Sequence, residues 1–336
     1  MELGVSYFGN RIMRHFLRDL DEIKAHHCTY IVHTFSENDH MFYKQGMAEI
    51  VKATKDAGLT AWVDPWGVGR VFGGEAFSNF TGQNPDSVQI ANDGVLTHCA
   101  CPNAPKFREF MAQWIADAVE IGADILFWDE PHFYMPSWIG GRPGTWACIC
   151  PHCKAKWDEM HPGKPFPTSL DADLKAARDV WLHDLLRFLT DKTAEHGIKS
   201  GVCLLPMGAN HPDVAEDWES IAALPNVSII GTDPYWLFAG KEYTLDNYVR
   251  PHAEKIMALA KKYNRGAQMW LQGFRVPAGR EKELIDAVKV FTDAGCRDVA
   301  TWGFDACKHI SWIRPDNPDL VWATVKEAYG MVKDLK

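Results

Sequence analysis

Acidic side chains that close apolar runs carry most of the chemistry this sequence can do. Asp129-Glu130-Pro131 ends a run that begins at Ile125, and Asp233-Pro234-Tyr235 ends another that begins at Val227. Asp64-Pro65-Trp66 repeats the design, and Trp302-Gly303-Phe304-Asp305 closes a further run on an acid. Proline stops a strand and fixes the departing chain, which leaves the acid at a rim. Glu130 follows Phe127 and Trp128 and has Asp129 beside it. Burial and like charge in such a setting raise a carboxyl pKa, as a general acid working near neutrality requires. Cleavage of a glycosidic bond usually takes two carboxyl groups, a proton donor and a nucleophile or base. Glu130 is the expected donor. Asp233 is the favoured second group, on the expectation that it stands well across from Glu130 and leaves room for the water of an inverting reaction. Each aspartate also reads as a cap on the turn that follows it. Glu37, after His33-Thr34-Phe35-Ser36, is an outside candidate.

A second set of residues has metal-ligand spacing. Cys148-Ile149-Cys150-Pro151-His152-Cys153 places three thiols on one tight turn, and Cys99 and Cys101 lie upstream. Three thiolates plus a fourth make a closed tetrahedral zinc site, which contributes to folding and keeps no open position for catalysis. Cys101 is preferred to Cys99 as the fourth ligand because Pro102 follows it, as Pro151 follows Cys150. The expectation is therefore structural zinc on Cys101, Cys148, Cys150 and Cys153, with no organic cofactor. The alternatives are reduced loop thiols, or a catalytic zinc that takes His98 or His152.

The elements that must position these groups are legible as eight strand-like runs: 3–9, 29–36, 60–66, 125–130, 201–206, 227–234, 268–274 and 299–304. Helical patterns separate them. Phe107, Phe110, Met111, Trp114, Ile115 and Ala118 share one face before Gly122, and Leu284, Ile285, Val288 and Phe291 share one before Gly295. Strict alternation predicts parallel pairing, and eight units predict one (β/α)8 barrel over residues 1–336. Two insertions, 67–105 and 131–171, far exceed the usual 2–6 residues of such connections. Both leave C-terminal strand ends, where barrel enzymes keep their chemistry, so they are expected to form a lid over the mouth.

With the strand and the cysteine loop in view, the chain resembles the family 42 β-galactosidases of glycoside hydrolase clan A. A fourth strand ends in a candidate acid–base glutamate, and a Cys-x-Cys-x-x-Cys loop joins an earlier cysteine. Gly122-Ala123-Asp124, running on to Asp129-Glu130-Pro131, also resembles a wider group of glycosidase-like barrels. The resemblance implies glycoside hydrolysis with Glu130 as acid–base residue and a zinc-stapled loop. Two departures count against the retaining mechanism of the clan: Asp129 stands where Asn is usual, and Gln272 stands in Trp270-Leu271-Gln272-Gly273-Phe274 where a nucleophilic glutamate is usual.

Around the acids, Trp66, Tyr235, Trp270 and Trp302 offer stacking faces, and Asp64, Asp129, His132, Gln272 and Asp305 offer hydrogen bonds to hydroxyl groups. His33 and Arg70 are further polar candidates, and Arg70 or Arg275 could clamp an acidic substituent. Strand alternation predicts that about half the mid-strand tryptophans pack against helices instead. The net charge of -9, with no basic cluster, argues against nucleic acid. No apolar run reaches the ~20 residues that span a bilayer, and Met1-Glu2-Leu3 leads straight into strand-like sequence, so a cytoplasmic location is expected. Phosphate-loop, dinucleotide, zinc-peptidase and serine-hydrolase motifs are absent from the sequence. Carbohydrate is the expected partner, and homo-oligomerisation is left open. The rival readings are a catalytically silent carbohydrate-binding barrel and a metal-dependent lyase or hydrolase.

Overall fold

Runs that stay apolar at successive positions, not alternate ones, suit strands covered on both faces, and parallel sheets are built from them. The computed structural model, which describes residues 1–138, 140–206 and 213–336, has ten strands. They are β1 (Glu2–Tyr7), β2 (Tyr30–Thr34), β3 (Thr60–Asp64), β4 (Val88–Ile90), β5 (Leu96–Ala100), β6 (Ile125–Asp129), β7 (Lys199–Leu204), β8 (Val227–Thr232), β9 (Gly266–Gln272) and β10 (Asp298–Trp302). Eight of them close into a barrel in the order β1-β2-β3-β6-β7-β8-β9-β10, every neighbouring pair parallel. The expected (β/α)8 barrel is the observed fold.

Amphipathic helices cover the outside. Met13–Ala25 buries Phe16, Leu20 and Ile23, and Pro105–Glu120 buries Phe107, Met111, Trp114, Ile115 and Ala118. Inside, the barrel is filled by rings. Trp62 stacks on Tyr30 at 4.8 Å, and Trp270 packs on Phe127 at 5.2 Å. The indole of Trp270 donates to Gln268 Oε1 (3.0 Å), whose amide in turn donates to Tyr30 (2.9 Å). Trp270 is thus part of the barrel filling, 2% exposed, and not the sugar-facing rim residue expected from sequence.

The two long insertions are better ordered than their composition suggests. β4 and β5 form an antiparallel hairpin in the first, and the helix Pro151–Met160 lies in the second. They are laced together: Asn92 N–H donates to Trp146 O (2.9 Å), Ile149 N–H donates to Ile90 O (2.8 Å), and Ala91 bridges Ala147. Among the described residues, no helix is long and apolar enough to cross a membrane.

Candidate functional site

β6 and β8 are both neighbours of β7, so the acids that follow them are only two strands apart at the C-terminal mouth. Glu130 leaves β6 in a left-handed backbone conformation, φ 47°. For a residue with a Cβ this costs on the order of 1–3 kcal/mol and persists only where surroundings enforce it. Here they do. The Glu130 N–H donates to Cys203 O of β7 (3.1 Å), and its carbonyl accepts from His132 Nδ1 (2.6 Å). His132, expected to meet sugar hydroxyls, instead clamps this turn, and its ring packs on Trp138 at 4.7 Å.

So held, the Glu130 carboxyl meets that of Asp233 directly, and the two share a hydrogen bond. The expected wide gap for an inverting water is therefore not found. Burial first, then the charge and hydrogen bond of Asp233, hold Glu130 well above the ordinary carboxyl range. Burial raises Asp233 to about 7, against the hydrogen bond from Glu130, which pulls it down. The Cys203 thiol also hydrogen-bonds Asp233. Asp129 is raised by burial and by Glu130, and Asp64 by burial, Asp129 and Glu130 in that order. Asp64 is fully buried, and neither of its carboxyl oxygens has a hydrogen-bond partner among the described residues. Four carboxyl groups thus occupy one small volume, and like charge at this density keeps protons on them near neutrality. The site is closed from above by Gly73, whose N–H donates to Asp129 O (3.0 Å). A Cβ there would stand 2.3 Å from Asp129 Oδ2 and 2.9 Å from Glu130 Oε2.

Rings flank the acids. Tyr235 is half-buried beside Asp233, with its ring on Phe274 at 4.9 Å. Trp66 packs on Phe8 at 5.3 Å, and Trp302 stacks on the same ring at 5.0 Å, so Phe8 joins two of the expected stacking residues. Sequence reading missed Phe8, Gly73 and Cys203. None carries a charge or an obvious motif, and only position in the fold brings them here.

Other expected site residues lie elsewhere or are already engaged. Gln272 is fully buried; its amide nitrogen donates to Phe274 O (2.9 Å) and its oxygen accepts from Leu237 N–H (3.0 Å). It braces backbone from a fully buried position. Asp305 follows β10, but its electrostatic neighbours are Glu22, Lys308, His309 and Asp319, on the helical side and not among the rim acids. Glu37 accepts from Gly69 N–H (2.8 Å), Ser78 (2.7 Å) and Phe80 N–H (2.6 Å), which makes it a loop brace. Arg70 donates to Gly74 O (3.0 Å) and Ala76 O (3.1 Å) in the same loop. His33 faces Thr54 (2.9 Å), and burial pushes its pKa down to about 3.

The cysteines converge. One sulfur from each of Cys101, Cys148, Cys150 and Cys153 lies within 4.8 Å of the others, all buried. Cys101 stands 3.5 Å from Cys153 and 3.4 Å from Cys150. A tetrahedron with ~2.3 Å zinc–sulfur bonds has edges of about 3.8 Å, close to these spacings. Amide groups point at the sulfurs: Ile90 N–H and Cys150 N–H at Cys148 (both 3.4 Å), and the Asn103 side chain at Cys153 (3.4 Å). Such donors suit thiolates and orient them as an outer shell does. The donor set fits a closed zinc site, and Cys99 is not part of it. Among the described residues this is the one group of three or more metal-type ligands that converges, and the rim acids do not form another.

No family model matches the sequence, and no curated protein matches it. Solved structures do share the fold. The catalytic domain of a β-amylase from Paenibacillus polymyxa superposes with a TM-score of 0.65 at 12% identity over 97% of each chain. An endo-1,4-β-mannanase from Rhizomucor miehei gives 0.60 at 9% identity over 98% of this chain and 95% of that one. A D-psicose 3-epimerase from Clostridium cellulolyticum, solved with D-tagatose, gives 0.51 at 10% identity over 98% of both. At these identities the likeness establishes a (β/α)8 barrel. Hydrolases and an epimerase share it, so the barrel alone does not name a reaction.

Proposed function

We propose that the protein is a glycoside hydrolase in which Glu130 and Asp233 act as one acid–base pair. The observation that carries this is the buried, hydrogen-bonded contact of the two carboxyls at the mouth of the barrel. Two acids that cannot both ionise share a proton, so near neutrality the pair holds one proton and one negative charge. Glu130, which the shared hydrogen bond raises while it lowers Asp233, is the donor to the leaving oxygen, and Asp233 is the base. Substrate entering between them must part the contact, since either stereochemical course of glycoside cleavage needs carboxyls at least ~5 Å apart. The β-amylase and the endo-1,4-β-mannanase among the fold neighbours support this class without fixing a sugar.

Trp66 and Tyr235 supply stacking faces, while Asp64 and Asp129 receive hydroxyl groups and keep the pair protonated. The hairpin β4–β5 and the loop bearing Cys148 form the lid, with zinc as its staple. Zinc bound by four cysteines would add stability and no chemistry to the reaction. We place the chain nearer the wider group of glycosidase-like barrels than the family 42 β-galactosidases, because Gln272 occupies the nucleophile position as a backbone brace. That brace also favours the second reading, a sugar-binding barrel without turnover.

The test is hydrolysis of aryl glycosides, neutral and acidic, in both anomers, by wild type and Glu130→Gln. Removal of a general acid is expected to lower turnover about 10²–10⁴-fold, and least for the most acidic leaving groups. Wild-type silence across aryl and natural glycosides, with measurable sugar binding, would replace the hydrolase by the silent barrel.

A further inference from the structure

A cleft of about 1090 Å³ opens between the chain that follows β1, the chain that follows β2 and the loop after β3. Its charged floor is fully engaged by the protein itself. Arg11 pairs with Asp39 (2.7 Å) and donates to Thr34 O (2.8 Å), and Asp39 also accepts from Ser36 N–H (3.0 Å). The Asn10 amide donates to Tyr7 (2.9 Å) and Asp19 (3.2 Å), and its oxygen accepts from Ile12 N–H (3.0 Å). These groups have little left to offer hydroxyls.

The walls, by contrast, are apolar and open. Ile12, Met41, Phe42, Tyr43 and Phe77 line the cleft with exposures from 46% for Ile12 to 85% for Phe77. They are five of the fifteen large apolar side chains exposed among the described residues, and they come from three separate segments. Scattered exposed apolar residues are ordinary; convergence of this kind around a concavity marks a binding surface. Three of the five stand on the π-helical turn Asp39–Tyr43, a rare turn often found at functional sites. The inner wall is Trp66, whose N–H bonds to the carbonyl of Asp64 (2.9 Å). Gly74 abuts its ring, and Gly73 abuts the two acids of β6. The cleft and the acid cluster therefore share one short piece of chain.

We propose that the substrate carries a large apolar group, an alkyl chain or fused aromatic system, seated in this cleft while its sugar lies at Glu130 and Asp233. The amides of Asn38, Asn79 and Gln83 also line the cleft, but its exposed surface is mainly apolar. The inference rests on the glycosidase reading, and its tests separate the two. The first compares octyl and methyl glycosides of the sugar that wild type turns over. The ratio of their kcat/KM values is expected to be about 10²-fold or more in favour of octyl, and to fall about tenfold in each of Phe42→Ala and Phe77→Ala, as lost ring burial predicts. The second is equilibrium dialysis of 2-naphthol, which needs no turnover; wild type should bind it and the double variant should not. Naphthol binding that depends on Phe42 and Phe77, with every glycoside inert, keeps the cleft and removes the hydrolase. An octyl-to-methyl ratio near one, unchanged in the variants, overturns the cleft and keeps the hydrolase. If sedimentation shows a dimer that Phe42→Ala and Phe77→Ala dissociate, without effect on naphthol or octyl glycoside, the surface is a contact between copies and the proposal fails.

Discussion

At the residue scale, the site depends as much on an absent side chain as on the acids. Gly73 is not in the left-handed region, so alanine is compatible with its backbone, and the difficulty is purely one of space. A methyl group 2.3 Å from Asp129 Oδ2 and 2.9 Å from Glu130 Oε2 must displace both carboxyls, since the fixed turn at Glu130 limits how far the chain can retreat. Misplacement of a reacting group by about 1 Å costs ~10²-fold in rate. Gly73→Ala is therefore expected to lower kcat/KM by 10- to 100-fold with a melting point only a few degrees down, checked by steady-state kinetics and thermal unfolding. Wild-type kinetics in this variant would mean that the positions of Asp129 and Glu130 are not critical. Glu130, Asp233, Asp64 and Asp129 were legible as candidates because acid-proline or acid-aromatic pairs end apolar runs. Their direct contact was not. Sequence order suggests that strands four and six are remote, but in a closed barrel they flank a single strand, about 10 Å apart at the usual spacing, and inward-leaning side chains bridge that. Gln272 was misread for a related reason: an amide at a strand end looks like a substrate group until the backbone it braces, at Phe274 and Leu237, is in place.

At the scale of elements, the barrel strands were readable to within about two residues because each is a nearly continuous buried run with a clear stop. The hairpin β4–β5 was not. Val88–Ile90 is three residues long, and its pairing depends on contacts with the loop around Trp146 and Ile149, some 50 residues onward. Nothing local specifies it, which makes the cysteine cluster the natural source of its stability. Cys101 follows the first insertion's hairpin and the other three cysteines lie in the second, so one metal ion would tie the two insertions to each other. Purified protein is expected to contain about one zinc per chain by elemental analysis. Cys150→Ser should lose most of it, and strong chelation of wild type should lower the melting temperature and speed proteolysis between residues 88 and 160, as for other structural zinc sites. Unchanged zinc content in Cys150→Ser, or a metal-free wild type with the same protease resistance, would remove the staple.

At the scale of the whole molecule, the acids that equip the mouth should impose an unusual pH dependence on stability. Asp233, at about 7, binds its proton more tightly in the folded barrel than in the unfolded chain, where an aspartate titrates near 4. Burial likewise raises Asp298, at the start of β10, to about 7, although hydrogen bonds from Tyr30 and Gln268 partly offset the effect. Glu130, Asp129 and Asp64 are raised in the same direction. Between pH 4 and 7 these acids therefore hold more protons in the folded state than in the unfolded chain, and their contribution to stability falls as pH rises through that window. Buried histidines with lowered pKa values, His33 foremost, contribute with the opposite sign up to about pH 6.5. Carboxylates with depressed pKa values, such as Asp117 and Asp184 beside their cationic partners, act the opposite way, but their contribution disappears only below about pH 4. Comparison of wild type with a variant that lacks one buried acid isolates that acid's contribution from all of these. One group contributes a slope of up to ~1.4 kcal/mol per pH unit where it is charged in one state and neutral in the other. Asp233→Asn removes one such group and leaves Glu130 without its anionic partner. Its melting temperature is expected to be close to that of wild type at pH 5 and several degrees higher at pH 8, with turnover lost at both. Thermal unfolding of the two proteins across pH 5–8 decides it. Parallel curves would show that Asp233 ionises in the folded barrel as readily as in the unfolded chain, and the shared proton on which the proposed chemistry depends would not exist.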